Sequence, residues 1–93
     1  MERSGPQDYR EERVLRTDAE LSLQTRDFIA TEIRKRRRER GWTQGELALK
    51  TNQGRYNIVS TWERRKKVPG LLSLYRLAEA FDCTIHDLLP PRE

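Results

Sequence analysis

The sequence predicts an all-α domain of five helices that follows a polar N-terminal leader. Leucine, alanine and phenylalanine side chains recur at helical spacing over residues 71–81. Two segments carry the capping-box pattern, in which a threonine precedes an acidic residue by three positions, at Thr43 and Glu46 and again at Thr84 and Asp87. Glycine and proline are few, with five and four among 93 residues, so long segments are compatible with helix.

The leader is predicted to comprise residues 1–24, and the folded domain residues 25–93. Gly5 and Pro6 interrupt any early helix, and the leader contains few apolar residues that could pack. We therefore predict that it is flexible. Two functional alternatives remain open for it, a segment that binds a protein partner and an arm that contacts DNA.

The first two predicted helices are defined by their caps. The first is predicted from Thr25, as its N-cap, to Arg40, and Gly41 supplies the left-handed residue that ends it. The second begins after Thr43. Its apolar residues Leu47 and Ala48 are expected to face the core.

The third predicted helix spans about residues 54–64, after a turn over residues 51–54. Trp62 is expected to anchor it in the core. Two further predicted helices complete the domain. A fourth helix covers residues 71–81, with Leu71 on its core face, and a fifth covers residues 84–89, where Leu88 either closes the core or contributes with Ile85 and Leu89 to a dimer interface.

Positive charge is concentrated in one part of the chain. The formal net charge is +4, but residues 34–67 contain twelve basic residues against three acidic ones. Within them, Arg34–Arg40 has six basic residues in seven positions. Such a block indicates a polyanionic partner, and a solvated helix face is the alternative.

The sequence argues against enzymatic and cofactor chemistry. Cys83 and His86 are each the only residue of their type, so neither an intrachain disulfide nor a cysteine-rich zinc site can form. We find no glycine-rich phosphate loop, no paired carboxylates and no nucleophile with a base. We therefore predict no catalytic residue, no metal site and no cofactor. No apolar run approaches the length of a membrane span, so we expect a cytoplasmic protein without a membrane partner.

A resemblance to a known family covers nearly everything after the leader. The residues that carry it are Ile33, Arg37, Gly41-Trp42-Thr43-Gln44, Leu47-Ala48, Val59-Ser60-x-Trp62-Glu63, Pro69, Leu71, Leu74, Leu77-Ala78, Phe81 and Thr84-Ile85-x-Asp87-Leu88-Leu89. This pattern resembles the lambda-repressor/Cro type of helix-turn-helix protein, often called the XRE family. It implies a five-helix lambda-repressor-like DNA-binding domain from a bacterium or phage.

The sequence departs from the family pattern in three places. The turn over residues 51–56 is one residue longer than usual, which leaves open where the third helix starts. Arg36 stands where the family commonly has leucine. Arg65 stands where it commonly has the glycine that closes the third helix.

The resemblance implies that the third helix enters the major groove of double-stranded DNA. Residue types that can read base edges are Arg55, Tyr56, Asn57, Ser60 and Thr61. For Tyr56, partial core packing is the alternative. Residues expected to contact phosphates are Thr43, Gln44, Arg64, Arg65, Lys66 and Lys67. Thr43 is expected to act mainly as a cap, and Glu63 to pair with Arg37.

The function implied is sequence-specific regulation of transcription, with a homodimer as the expected binding form. The alternative is a protein-interaction module on the same fold, such as an antitoxin or an adaptor to the transcription machinery. Residues 1–24 favour this alternative, since their four basic and six acidic residues make them net negative. The basic residues over 34–67 favour DNA.

Overall fold

The computed structural model describes residues 16–54 and 57–91, and within these ranges it contains helices and no strand. In chain order the elements are α1 (Asp18–Glu39), α2 (Gln44–Lys50), α3 (Ile58–Glu63), α4 (Leu71–Phe81) and a 3-10 helix (Ile85–Leu88). The all-α prediction is confirmed. The fifth predicted element is a single 3-10 turn, so the described ranges hold four α-helices rather than five.

Helix α1 begins eight residues earlier than the sequence analysis predicted. Its N-cap is Thr17, whose hydroxyl accepts a hydrogen bond from the Glu20 amide at 3.1 Å, while the Glu20 carboxylate accepts one from the Thr17 amide at 2.8 Å. The prediction of Thr25 as the N-cap is therefore wrong, and residues 18–24, which we had assigned to the leader, are helical. Residues 1–15 lie outside the described part of the chain.

The turn between α2 and α3 is fixed by a buried threonine. The Thr51 hydroxyl donates to the Leu47 carbonyl at 2.8 Å, and Asn52 takes a left-handed conformation with φ 56°. Helix α3 then begins at Ile58, later than the predicted start at residue 54, with Asn57 as its N-cap residue. Gly54 and Asn57, which the prediction placed in the helix, therefore lie outside it.

Left-handed residues end helices α1 and α3. Gly41 has φ 71°, which confirms its predicted role after α1. Arg65 has φ 64° at the position where the family resemblance expects glycine. A side chain in this conformation costs about 1–2 kcal/mol, so the chain retains an arginine here in spite of its backbone.

One hydrophobic core holds the helices together. Helix α1 packs against α3, α4 and the 3-10 helix, and α3 also packs against α2. Trp62 is only 3% exposed, which confirms it as the core anchor of α3, and Leu88 is fully buried, which assigns it to the core rather than to a dimer interface. Leu71, which we predicted on the core face, is 67% exposed, because it is the first residue of α4 and lies one turn beyond the buried Leu74.

Candidate nucleic-acid interface

The predicted base-reading residues that the structure describes lie along one side of α3. Asn57 is exposed, and its side chain makes no capping hydrogen bond, so its amide is available to a ligand. Ser60 and Thr61 follow one turn later and are half-buried, and the Thr61 hydroxyl donates to the Asn57 carbonyl at 3.2 Å. Arg55 and Tyr56 lie outside the described residues, so their roles remain predictions from the sequence.

The start of α2 is a closed capping box. The Thr43 hydroxyl accepts from the Glu46 amide at 3.0 Å, and the Thr43 amide donates to the Glu46 carboxylate at 2.7 Å. This second bond holds the pKa of Glu46 below its ordinary value. The predicted cap is confirmed.

Gln44 braces α3 from the first turn of α2. Its Nε2 donates to Glu63 Oε1 at 3.1 Å, which links α2 directly to the end of α3. This bond holds the end of α3 against the start of α2. A side-chain amide has two N–H groups, so the second remains available for the phosphate contact that we predicted.

A buried ion pair joins α1 to α3. Arg37 Nε donates to Glu63 Oε2 at 2.6 Å, and Nη2 donates to Oε1 at 3.0 Å, which makes the pair bidentate. The Arg37 and Glu63 side chains are only 11% and 4% exposed. Arg37 Nη1 also donates to the Trp42 carbonyl at 2.8 Å, and the hydrogen bonds to Glu63 raise the pKa of Arg37 above its ordinary value. The predicted pair is confirmed, and it fixes the position of α3 on α1.

The seven residues Arg34–Arg40 are here called the basic block. Two further arginines of the basic block also form hydrogen bonds inside the domain. Arg36 pairs with Glu32 one turn before it at 3.0 Å. Arg40 donates to the Arg36 carbonyl at 3.0 Å and to the Phe81 carbonyl at 2.6 Å. Its guanidinium also lies 5.8 Å from the Trp42 ring centroid and 5.2 Å from that of Phe81. Arg40 thus links α1 to the end of α4, whereas Arg36 is bonded within α1.

The other cations of the block face outward. Arg34, Lys35 and Arg38 are exposed, and none of them has an ion pair with any residue of the described ranges. With Arg65 they line a shallow depression, here called the α1 groove, which also contacts Ala30, Thr31 and Glu63.

The loop after α3 adds further positive charge beside this groove. Arg64, Lys66 and Lys67 are exposed and likewise have no ion-pair partner within residues 16–54 and 57–91. Arg65 Nε donates to Asp27 Oδ1 on α1, and because Arg65 also lines the α1 groove, the loop and the groove adjoin. The sequence analysis named the loop residues. It did not separate Arg34, Lys35 and Arg38 from the inward-facing arginines of the same run, although helical spacing from Ile29 and Ile33 would have done so.

Other chemistry has little basis in the described part of the chain. Cys83 is half-buried, and this burial raises the pKa of its thiol. No group of three or more histidine, cysteine, aspartate or glutamate residues in the described ranges is placed to hold a metal ion. None of the helices there is both long and apolar enough to cross a membrane.

The HTH_3 helix-turn-helix family matches residues 33–88, which is more than half of the chain. The protein therefore belongs to this family, and the resemblance to the lambda-repressor/Cro type is confirmed. Among curated protein sequences, none matches the chain significantly.

Solved structures agree with this assignment. A hypothetical transcription factor from Neisseria is 28% identical with a TM-score of 0.68, over 75% of this chain and 79% of its own. The N-terminal DNA-binding domain of SinR from Bacillus subtilis is 26% identical with a TM-score of 0.64, over 72% of this chain and 97% of its own. The restriction-modification controller protein C.AhdI from Aeromonas hydrophila, 23% identical over 69% of this chain and 96% of its own with a TM-score of 0.64, shares the fold.

Proposed function

We propose that the protein is a sequence-specific DNA-binding regulator of transcription that inserts α3 into the major groove of double-stranded DNA, in the cytoplasm. The proposal rests on how α3 is held against the rest of the domain and on the charge that it leaves exposed. Arg37 and Gln44 both hold Glu63 on its inner side, while the loop after α3 carries exposed cations, and three of them have no ion-pair partner among the described residues. The structures most similar to it include a hypothetical transcription factor and a DNA-binding domain.

Base reading is assigned to the outer side of α3 and the residues before it. The exposed amide of Asn57 has the donor and acceptor that an adenine edge requires, and such a bidentate contact contributes about 1–3 kcal/mol of discrimination. Ser60 and Thr61 are placed for shorter contacts. Arg55 and Tyr56 complete the proposed set from the sequence alone.

Phosphate contacts are assigned to residues on either side of α3. On one side, Gln44 keeps one N–H that bonds to no described residue at the start of α2, and Thr43 beside it is assigned from the sequence alone. On the other side are the cations of the loop after α3, namely Arg64, Arg65, Lys66 and Lys67. These contacts would hold the protein on the duplex without reading sequence.

Salt dependence tests DNA binding directly. If about six phosphates are neutralised, a plot of log K against log salt concentration should have a slope near −5. A fluorescence-anisotropy titration at several salt concentrations measures it. A flat dependence would contradict the proposal.

Two variants separate reading from positioning. Asn57→Ala should reduce the difference in binding free energy between related DNA sites by about 1–3 kcal/mol. Lys67→Ala should instead weaken binding to all sites alike. Both side chains are exposed, so the fold should tolerate both changes. Equal effects of the two variants on every site would contradict the placement of α3 in the groove.

The second candidate function is a protein-interaction module, as in an antitoxin or an adaptor to the transcription machinery. The net negative charge of residues 1–24 favours it, because an arm that contacts DNA would be basic. A gel shift with a fragment of the protein's own promoter region distinguishes the candidates. Regulation of its own transcription predicts a shifted band, and no shift would favour the second candidate.

A homodimer is the proposed binding form, with α4 as the contact face. Leu71, Leu72 and Tyr75 are each more than half exposed and lie within the first turns of α4. Large apolar residues grouped in this way favour an association surface. Sedimentation equilibrium of Leu72→Glu against the unchanged protein tests the face, and an unchanged molecular mass for the variant would rule it out.

A further inference from the structure

The α1 groove contains positive charge that the proposed α3 interface does not use. Arg34, Lys35 and Arg38 are exposed, and no carboxylate of the described chain pairs with them. Their neighbours Arg36, Arg37 and Arg40 each have partners inside the domain. The paired arginines therefore stabilise the fold, whereas the three exposed cations have no structural role within the described residues.

The acidic groups near the groove are already neutralised. Glu63 lines it, but its carboxylate is held by both nitrogens of the Arg37 fork. Asp27 accepts from Arg65 Nε, which leaves the two terminal nitrogens of Arg65 without a hydrogen bond to any described residue. A phosphate that entered the groove would thus meet four cations and no uncompensated carboxylate.

The groove also adjoins the proposed DNA interface. Arg65 belongs both to the loop after α3 and to the groove lining. Arg34 and Arg38 are four residues apart on α1, so their side chains emerge on one face about 6 Å apart along the helix axis. The loop and the groove form one basic surface.

We propose that the α1 groove is a second contact to the DNA backbone, which binds phosphates that flank the base pairs read by α3. This inference rests on the proposed function, and it adds α1 to the interface. Its role is affinity without sequence discrimination, because cations that contact phosphates carry no base information.

A triple variant, Arg34→Gln with Lys35→Gln and Arg38→Gln, tests the proposal. Each lost phosphate contact should make the slope of log K against log salt less steep by about 0.9, so the triple variant should lose about 2–3 units. Its preference between two DNA sites should stay unchanged. A slope equal to that of the unchanged protein would overturn the proposal.

Two controls isolate charge and position. Arg34→Lys with Arg38→Lys keeps both charges and should keep the slope. Lys50→Gln removes one lysine at the C-terminal end of α2, whereas Gln44 is at its N-terminal end. This variant should leave the slope unchanged, whereas the single variant Lys35→Gln should make it less steep. If Lys50→Gln and Lys35→Gln reduce the slope equally, the effect is one of net charge and the proposal fails.

The outcomes also separate this inference from the proposed function. A flat salt dependence in the unchanged protein overturns both. A steep slope in the unchanged protein that the triple variant retains overturns only the α1 groove. Binding of poly-glutamate that the triple variant loses, while its DNA slope is retained, would assign the groove to an acidic protein segment and overturn the proposal as well. Unfolding curves verify that each variant is folded.

Discussion

The two sides of the basic block on α1 differ in what their charges do. On the inner side, Arg37 is 11% exposed and makes three hydrogen bonds, two of them to Glu63. On the outer side, Arg38 is the next residue in the chain, yet it is exposed and has no ion pair within the described ranges. Adjacent arginines therefore have unrelated roles.

This difference shows that a run of like charges is not one functional unit. A helix places successive side chains about 100° apart, so a run of seven residues covers all its faces. The inner arginines bond to a carboxylate of α3, a carbonyl of α4 and, for Arg36, a carboxylate of α1 itself. The outer cations have no ion pair within the described ranges and are available to a ligand.

Arg37→Ala should have the largest effect on stability. It would leave the Glu63 carboxylate buried with only Gln44 as a side-chain partner, and breaking a buried pair in this way costs about 3–5 kcal/mol. Urea denaturation measures the loss. Arg38→Ala is the matched control, and equal midpoints for the two variants would contradict the inner and outer assignment.

Arg40→Ala should have an intermediate effect. The variant loses the hydrogen bond to the Phe81 carbonyl and the contacts with the Trp42 and Phe81 rings, which together contribute about 1–3 kcal/mol. The side chain is partly exposed, so water replaces some of this. Thermal unfolding measures the change. A melting temperature that does not move would mean that Arg40 belongs with the outer residues.

Arg65→Gly should change stability little, and in the favourable direction. Glycine removes a left-handed strain of about 1–2 kcal/mol, while the exposed pair with Asp27 that is lost contributes about 0–1 kcal/mol. The same variant should bind DNA more weakly if Arg65 contacts phosphates. Chemical denaturation and DNA titration are both required, and a clear loss of stability would show that the Asp27 pair is the reason for arginine here.

Arg38→Gln should have the smallest effect on stability, within about 0.5 kcal/mol, because the side chain is exposed and unpaired. Denaturant midpoints for the variant and the unchanged protein measure it. A loss above about 1 kcal/mol would place Arg38 among the structural residues and would remove it from the α1 groove.

Local patterns predicted most of the fold. Both predicted capping boxes, at Thr43 and at Thr84, are present, and α4 spans the predicted residues 71–81. These signals depend on residues three or four positions apart, which lie within one helical turn. The start of α1 was missed although Thr17 and Glu20 form the same kind of box, because few apolar residues follow them.

The candidate site was less predictable, since it depends on contacts between distant parts of the chain. The Arg37–Glu63 pair was predicted because a carboxylate is unfavourable beside phosphates, and it joins residues 26 positions apart. Helical spacing from the buried Ile29 and Ile33 places residues 36, 37 and 40 on the inner side, but the sequence analysis did not apply this spacing to Arg34–Arg40. The start of α3 at Ile58 was also missed, since Asn57 makes no side-chain cap that a pattern would show.

The most direct test of the central claim, that α3 reads DNA sequence, is selection of bound duplexes from a random pool. The account predicts enrichment of a short common motif, and loss of that enrichment in Asn57→Ala without loss of binding to the pool as a whole. A pool that stays random after repeated rounds, while the protein still retains DNA, would contradict sequence reading by α3 and leave only backbone binding.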